Sequence, residues 1–214
     1  MLRADFHIHT KYSMDCEMEL DDIIETCRIK NLNCINICDH GTVEGALKLK
    51  DKAPFKVIVG EEILTPHGEI MGMFLSETIP SGISVEKAVE QVKQQGGLVC
   101  LPHPFDPFRG LSLTGGEIDE LAKDVDVVEV FNARSHSDKT AEKAFAYASR
   151  HNLPGTAGSD SHTLREIGYT FVELPEFDTK EEFLAALRQA NIHRKKAGMM
   201  VHLSSTWTKL KRKL

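Results

Sequence analysis

The chain has 214 residues, of which 41% are hydrophobic and 27% are charged, and its formal net charge at pH 7 is −6. This composition is typical of a globular protein with one core, and it excludes a disordered or membrane-embedded chain. The negative charge argues against broad affinity for nucleic acid, although bound metal ions would neutralise part of it. The five cysteines form no CxxC pair, so we expect free thiols rather than a disulfide framework.

Because the sequence shows no targeting signal and no linker, we predict one cytoplasmic domain over residues 1–214. The first five residues lead directly into a metal-binding pattern, which leaves no room for a signal peptide, and no apolar run has membrane-spanning length. We therefore expect no membrane partner. Residues 207–214 form a short basic tail. A solvated tail is the leading interpretation, and a contact with phosphate or nucleic acid is the weaker one.

Hydrophobic periodicity predicts strands and helices that alternate along the chain. Strands are predicted over residues 2–9, 34–39, 55–63, 69–75, 98–101, 125–131, 156–159 and 169–174. Helices are predicted over residues 20–30, 43–50, 84–95, 116–121, 137–150 and 179–190. The third and fourth strands are joined by a turn at residues 65–68 and are predicted to form a hairpin. Repeated strand–helix units favour a parallel sheet, either wound open or closed into a barrel.

Metal-binding side chains stand at the ends of several predicted strands. His7 and His9 alternate on one strand, so both point to the same side and can reach one ion. The full set of candidate ligands is His7, His9, Asp15, His40, Glu62, His103, Asp160 and His162. This set is too large for one four-coordinate zinc and predicts two or three ions that share a bridging carboxylate. Imidazole and carboxylate ligands suit zinc, manganese or iron better than calcium.

Other acids accompany these candidates. Glu61 and Glu62 cannot both face the site, because side chains alternate along a strand. Asp5 and Asp39 are expected to orient ligand histidines or to stabilise the strand ends. Glu129 alternates with an aromatic residue within a strand, and it either supports the site or simply pairs with a neighbour.

The order of these motifs resembles that of the PHP family, whose initials stand for polymerase and histidinol phosphatase. The matching pattern is His7-x-His9 followed by Asp15, Asp39-His40-Gly41, Gly60-x-Glu62, Pro102-His103-Pro104 and Ser159-Asp160-Ser161-His162. The match extends over about residues 2–175. The resemblance implies an α/β fold, a distorted (β/α)7 barrel of parallel strands in a single domain. It also implies two or three divalent ions at the C-terminal ends of the strands.

The same resemblance implies phosphoester hydrolysis as the activity and all eight candidate residues as ligands, with Glu62 as the bridge between ions. Many relatives place a histidine near the position of Glu69, at the hairpin strand. Either Glu69 replaces that ligand or the third metal position is altered.

Two arginines are candidates for substrate binding. A hydroxide activated by the metal ions would attack a phosphate ester, so no side-chain nucleophile is required. Arg109 and Arg134 lie on loops after candidate strands, and a guanidinium binds phosphate through two parallel hydrogen bonds. His136 also follows a strand and could sit at the mouth of the site.

These features favour a metal-dependent phosphoesterase that acts on a small phosphomonoester or nucleotide. A nuclease or nucleotide-end phosphatase is the second interpretation, and nucleic acid is less favoured as a partner because the chain is acidic. A metal-dependent C–N hydrolase is a third, since the same hydroxide attacks a carbonyl carbon. A metal-stabilised regulatory module without turnover would be expected to have lost ligands, whereas this set is largely intact. The sequence predicts no particular oligomeric state.

Overall fold

The computed structural model describes residues 1–135 and 137–198. His136 and the basic tail at residues 207–214, both singled out above, lie outside the described residues. The strands are β1 Leu2–Ile8, β2 Cys34–Ile37, β3 Lys56–Thr65, β4 Gly68–Met73, β5 Leu98–Leu101, β6 Val127–Asn132, β7 Gly155–Gly158, β8 Phe171–Leu174 and β9 Asn191–His193. The helices are α1 Leu20–Ile29, α2 Glu44–Lys52, α3 Val85–Gln94, α4 Gly115–Leu121, α5 Asp138–Arg150 and α6 Lys180–Leu187. Among them, no helix has the length and apolar character needed to cross a membrane.

The strands form one sheet that curls into a nearly closed barrel. Their order is β7-β6-β5-β4-β3-β2-β1-β8-β9. Neighbours from β1 to β3 are parallel, and so are neighbours from β5 to β7. Near the C-terminal end of β1, Ser161 donates to the carbonyl of His7 and accepts from the backbone nitrogen of His9, so the segment after β7 joins β1. The α/β barrel expected from the sequence is confirmed.

The sheet is more mixed than a barrel of parallel strands alone. Strand β4 is antiparallel to both β3 and β5, as the predicted hairpin requires, and β8 and β9 continue the sheet with antiparallel pairs beyond β1. The described residues contain six helices rather than seven, because β3 connects to β4 and β7 connects to β8 without a helix. The short strand β9 was not predicted, since its three partly exposed residues show no period.

Apolar residues form two clusters on the two faces of this sheet. One joins the sheet to the helices α1 to α5, and the other includes α6. The pairing of β1 with β2 shifts register between Asp5 and Ile8, so Phe6 and Ile8 pack in different clusters although they are two residues apart. The irregularity lies where β1 presents its histidines, and the rings of His7 and His9 have centroids 5.2 Å apart.

Gly158 lets β7 lie directly against β1 beside His7. A Cβ at this position would overlap the Cβ of His7 and lie 2.7 Å from its backbone nitrogen. We expect Gly158→Ala to lower the free energy of unfolding by about 1–3 kcal/mol through overpacking. Urea unfolding measures this change, and Gly115→Ala is the control, because nothing lies within 4 Å of a Cβ there. Equal stability of the two variants would contradict the tight β1–β7 contact.

Candidate metal centre

The candidate ligands meet at one end of the barrel, where β1, β2, β5 and β7 end. The structure brings together His7, His9, Asp15, His40, Glu62, Glu69, His103, Asp160 and His162. Asp15 comes from the loop between β1 and α1, and the two glutamates come from the hairpin strands. His103 and Asp160 have φ angles of 30° and 52°, a left-handed conformation that non-glycine residues seldom adopt and that is common at functional sites.

Glu62 lies at the middle of this cluster. Its Oε1 is 3.3 Å from His7 Nε2 and 3.1 Å from His103 Nε2. Its Oε2 is 3.4 Å from His9 Nε2 and 3.5 Å from His40 Nδ1. Burial opposes ionisation, but the facing His7 and His103 hold the pKa of Glu62 well below its usual range. One ionised carboxylate that faces four imidazoles is the arrangement expected of a bridging ligand.

Asp15 organises a second part of the cluster. Its Oδ2 is 3.0 Å from His162 Nε2 and 3.4 Å from His40 Nε2. Although burial opposes ionisation, these two imidazoles hold the pKa of Asp15 below its usual range. With His9, the three residues place four ligand atoms within 4.8 Å of one another.

Glu69 lies beside the ligands of the hairpin side. Its Oε1 is 3.8 Å from His40 Nδ1, and its Oε2 is 3.3 Å from His103 Nε2. Burial and the neighbouring Glu62 raise the pKa of Glu69. Glu69 therefore occupies the region of the predicted third metal position, and ligation by it remains a prediction.

The two carboxylate oxygens of Asp160 face different groups. Oδ1 lies 3.5 Å from His9 Nε2 and 3.7 Å from His7 Nε2. Oδ2 accepts hydrogen bonds from Arg109 and, at 3.2 Å, from Asn132 Nδ2. Burial opposes its ionisation, but the Arg109 guanidinium and His7 hold the pKa of Asp160 well below its usual range. One oxygen is thus held in place while the other faces the histidines.

The donor atoms of this cluster fit divalent metal ions. Within the part of the chain that the structure describes, buried imidazole nitrogens of four histidines have no hydrogen-bond partner: His7 Nε2, His9 Nδ1 and Nε2, His40 Nδ1 and His103 Nδ1. Buried polar atoms are normally paired, and a bound cation would supply the missing partner. Burial and the neighbouring His162 lower the pKa of His9 to about 3, so its imidazole is neutral, the form that binds metal.

Glu129 supports two of the ligands from behind. One of its oxygens lies 3.0 Å from His7 Nδ1, and the other accepts from the backbone nitrogen of His103 at 2.8 Å. Asn132 also donates to Glu129, at 3.0 Å. A carboxylate on the far nitrogen of a ligand histidine orients the ring and raises its basicity. Sequence reasoning left the role of Glu129 open and missed that of Asn132, because their contacts with His7 and Asp160 join residues that are far apart in the chain.

We expect Glu129→Gln to weaken metal binding by about 10–100-fold, because the charge that orients His7 is lost. Titration of the metal-free protein with zinc measures the dissociation constant. The matched control is Glu173→Gln, since Glu173 pairs with His193 at 2.9 Å on the surface. Unchanged zinc affinity in Glu129→Gln would contradict the supporting role.

Asp5 and Asp39 bind backbone around the ligands rather than facing the cluster. Asp5 accepts from the backbone nitrogens of Ser159 and Gly168, at 2.9 Å and 2.8 Å, and so ties both ends of one loop to β1. Asp39 accepts from the nitrogen of Thr10 at 2.5 Å and from its hydroxyl at 2.6 Å. Burial raises the pKa of Asp5 to about 6 and that of Asp39 to about 7. These contacts agree with their expected role at the strand ends.

The two candidate arginines differ in their exposure and in the groups that they contact. Arg134 is buried, donates to the carbonyl of Asp160 at 3.3 Å and contacts Nδ1 of His162, so it lies behind the ligand segment. Arg109 reaches Asp160 from the loop after β5 and pairs with Asp106 at 3.5 Å, while its Nε has no hydrogen-bond partner among the described residues. Substrate contact remains a prediction for both, and Arg109 has the more open position.

Comparisons with known proteins match this fold and this motif order. A family model described as PHP domain matches residues 5–95, and one described as PHP-associated matches residues 140–192. The uncharacterised protein MJ1587 of Methanocaldococcus jannaschii is 40% identical over 145 residues, which are 62% of this chain and 82% of the relative. The uncharacterised protein MJ0417 of the same organism is 35% identical over 183 residues, which are 84% of this chain and 73% of the relative.

Solved structures extend the comparison. A two-domain protein from Bacteroides vulgatus, described as containing a predicted PHP-like metal-dependent phosphoesterase, has a TM-score of 0.74 at 20% identity, over 97% of this chain and 69% of that one. An amidohydrolase from Chromobacterium violaceum, solved with bound sulfate and without metal, has a TM-score of 0.67 at 16% identity, over 89% of this chain and 97% of that one. At these identities the two structures establish the fold.

Proposed function

The chain belongs to the PHP family, and from this premise we propose that it is a metal-dependent phosphoesterase that hydrolyses a small phosphomonoester or nucleotide. The observation that carries the proposal is the set of buried imidazole nitrogens of His7, His9 and His40 that face the Glu62 carboxylate and have no hydrogen-bond partner among the described residues. Such a site needs cations to satisfy it and lies at the C-terminal strand ends, where a barrel leaves its active site open.

The ligand geometry supports three neighbouring ion positions. They would be held by His7, His9 and Asp160, by His103, Glu62 and Glu69, and by Asp15, His40 and His162. Divalent ions bound there would lower the pKa of water toward neutrality and neutralise the phosphoryl oxygens. Zinc, manganese and iron(II) all match this mixture of imidazole and carboxylate ligands.

The hydroxyl groups of Ser13 and Ser159 bind carboxylates at the site rather than standing free as nucleophiles. The Ser13 hydroxyl donates to Asp15 at 2.8 Å, and the Ser159 hydroxyl donates to Asp5. The reaction proposed here therefore uses water as the nucleophile, and these serines keep the acids oriented.

Arg109 is the residue we assign to the phosphoryl group. The loop that carries it is shaped by Asp106, which accepts from the backbone nitrogens of Phe108 and Arg109 at 3.0 Å and 3.3 Å. Asp106 and Asp160 hold two nitrogens of the guanidinium, and the partly exposed side of the guanidinium is left to contact a phosphoryl oxygen. A guanidinium held in this way is already oriented before substrate binds, which reduces the entropy lost on binding.

We expect Arg109→Ala to raise KM for the substrate by about 10–100-fold, the value of a charge-assisted hydrogen bond of about 1.5–3 kcal/mol. Steady-state kinetics of phosphate release measure the change. Arg150→Ala is the control, because Arg150 pairs with Asp119 on an exposed surface. An unchanged KM in Arg109→Ala would remove Arg109 from the substrate site.

The direct test of the proposed function is phosphate release by the purified chain after reconstitution with manganese or zinc. Substrates are p-nitrophenyl phosphate and a panel of nucleoside monophosphates and sugar phosphates. Glu62→Gln protein prepared in the same way controls for contaminating phosphatases. Metal-dependent release that is absent from the variant supports the proposal, and no release from any substrate by fully metallated protein would reject it.

Hydrolysis of a C–N bond is the second candidate, favoured by the fold shared with the Chromobacterium violaceum amidohydrolase. The same reconstituted protein is therefore assayed with a panel of amides and lactams. Turnover of an amide without any phosphate release would replace the phosphoesterase proposal with this one.

A further inference from the structure

Cys38 follows β2 and lies beside the first two histidines of the centre. Its side chain is fully buried. Its Sγ, one ring nitrogen of His7 and one ring nitrogen of His9 lie within 4.8 Å of one another. Its hydrogen bond to the carbonyl of Ile8 is long, at 3.8 Å.

A second observation points to a cation at the same place. His9 Nδ1 and Nε2 and His7 Nε2 are buried and have no hydrogen-bond partner in residues 1–135 and 137–198. Ligand atoms that share a tetrahedral zinc at bonds of about 2.0–2.3 Å lie roughly 3.5 Å apart, so small side-chain adjustments would bring this group to coordination distance. Among the five cysteines, all within the described residues, Cys38 alone has its sulfur in such a group.

Cys34 is a buried cysteine that, among the described residues, belongs to no such group of ligand atoms. It lies on β2 four residues earlier, is fully buried as well, and packs with Cys38 in the same apolar cluster. Burial and packing alone therefore do not separate the two thiols. The proximity of unpartnered imidazoles does.

We propose that Cys38 is a thiolate ligand of the ion held by His7 and His9. On binding, the thiol proton leaves to solvent and a metal–sulfur bond forms, without change in oxidation state. An oxygen of Glu62 or Asp160 completes the four ligands. This inference rests on the metal centre of the proposed function, and it names the preference of one position within that centre. A thiolate makes that position favour zinc, cobalt(II) or iron(II) over manganese.

The test uses the full chain stripped of metal and titrated with cobalt(II). Thiolate coordination produces a near-ultraviolet sulfur-to-cobalt charge-transfer band, whereas nitrogen and oxygen ligands give only the visible bands of the ion. We expect this band in the unsubstituted protein and in Cys34→Ser, and we expect its loss in Cys38→Ser with cobalt still bound. Competition between zinc and manganese gives a second readout, in which Cys38→Ser lowers the preference for zinc at least about tenfold.

A band that persists in Cys38→Ser, or cobalt binding to the unsubstituted protein without the band, would overturn the thiolate assignment. Neither result touches the phosphoesterase proposal as long as phosphate release depends on metal. Failure of cobalt and zinc to bind at all would instead reject the metal centre and, with it, both proposals. Cys38→Ala and Cys38→Thr provide the same comparison if the serine variant does not fold.

Discussion

Glu62→Gln should lower kcat/KM for phosphate release by about 10³-fold or more, the equivalent of several kcal/mol of lost metal-dependent stabilisation. Its carboxylate faces four imidazoles, from His7, His9, His40 and His103, at 3.1–3.5 Å. An amide keeps the shape but removes the charge and leaves a nitrogen that cannot ligate. We therefore expect the variant to lose at least one bound ion together with its activity.

Glu61→Gln is the matched control for this experiment. Glu61 is the preceding residue and equally buried, but it points away from the cluster and accepts from the backbone nitrogen of Ile79 at 2.9 Å. Burial raises the pKa of Glu61 to about 7, so the neutral amide resembles a form that this site tolerates. The number of bound ions and kcat/KM are measured for both variants. Equal losses in the two variants would contradict the central position assigned to Glu62.

Removal of the bound ions should lower the thermal unfolding midpoint by about 8–16 °C for each ion. One ion present at about 1,000 times its dissociation constant stabilises the folded state by about 4 kcal/mol, and each kcal/mol shifts the midpoint of a chain of this size by about 2–4 °C. The physical reason is that several imidazole nitrogens are buried with no hydrogen-bond partner among the described residues, so removal of the ions would leave them unsatisfied. Differential scanning calorimetry before and after chelation measures the shift.

Two further experiments serve as controls for the calorimetry. Addition of zinc or manganese after chelation should restore the midpoint, which shows that chelation did not damage the fold. His9→Ala, which removes one of the unpartnered imidazoles, should show a much smaller shift on chelation. Identical midpoints with and without metal would show that the cluster does not hold ions in the folded state.

Local patterns along the chain predict most of the fold. The helix expected after Ser84 is α3, and the Ser84 hydroxyl accepts from the nitrogen of Lys87, as an N-cap does. Alternation also indicates that only one of Glu61 and Glu62 can face the site, and the structure places Glu62 there. Such features depend on neighbours a few residues apart, so one sequence contains them.

Long-range partners are what the sequence could not predict. Asn132 reads as the end of an apolar strand, yet it donates to Glu129 and Asp160. Cys38 reads as a small apolar residue of a buried strand, and its position beside His7 depends on how β1 and β2 pair. The antiparallel strand β9 is set by its pairing with β8 rather than by any period of its own.

The central claim is that the chain binds a cluster of divalent ions and uses them to hydrolyse a phosphate ester. Elemental analysis of the purified and reconstituted protein, run beside an assay of phosphate release, tests it most directly. We predict two or three ions per chain and phosphate release that disappears on chelation and returns with added metal. A protein that holds no stoichiometric metal after reconstitution would contradict both the metal centre and the hydrolysis that depends on it.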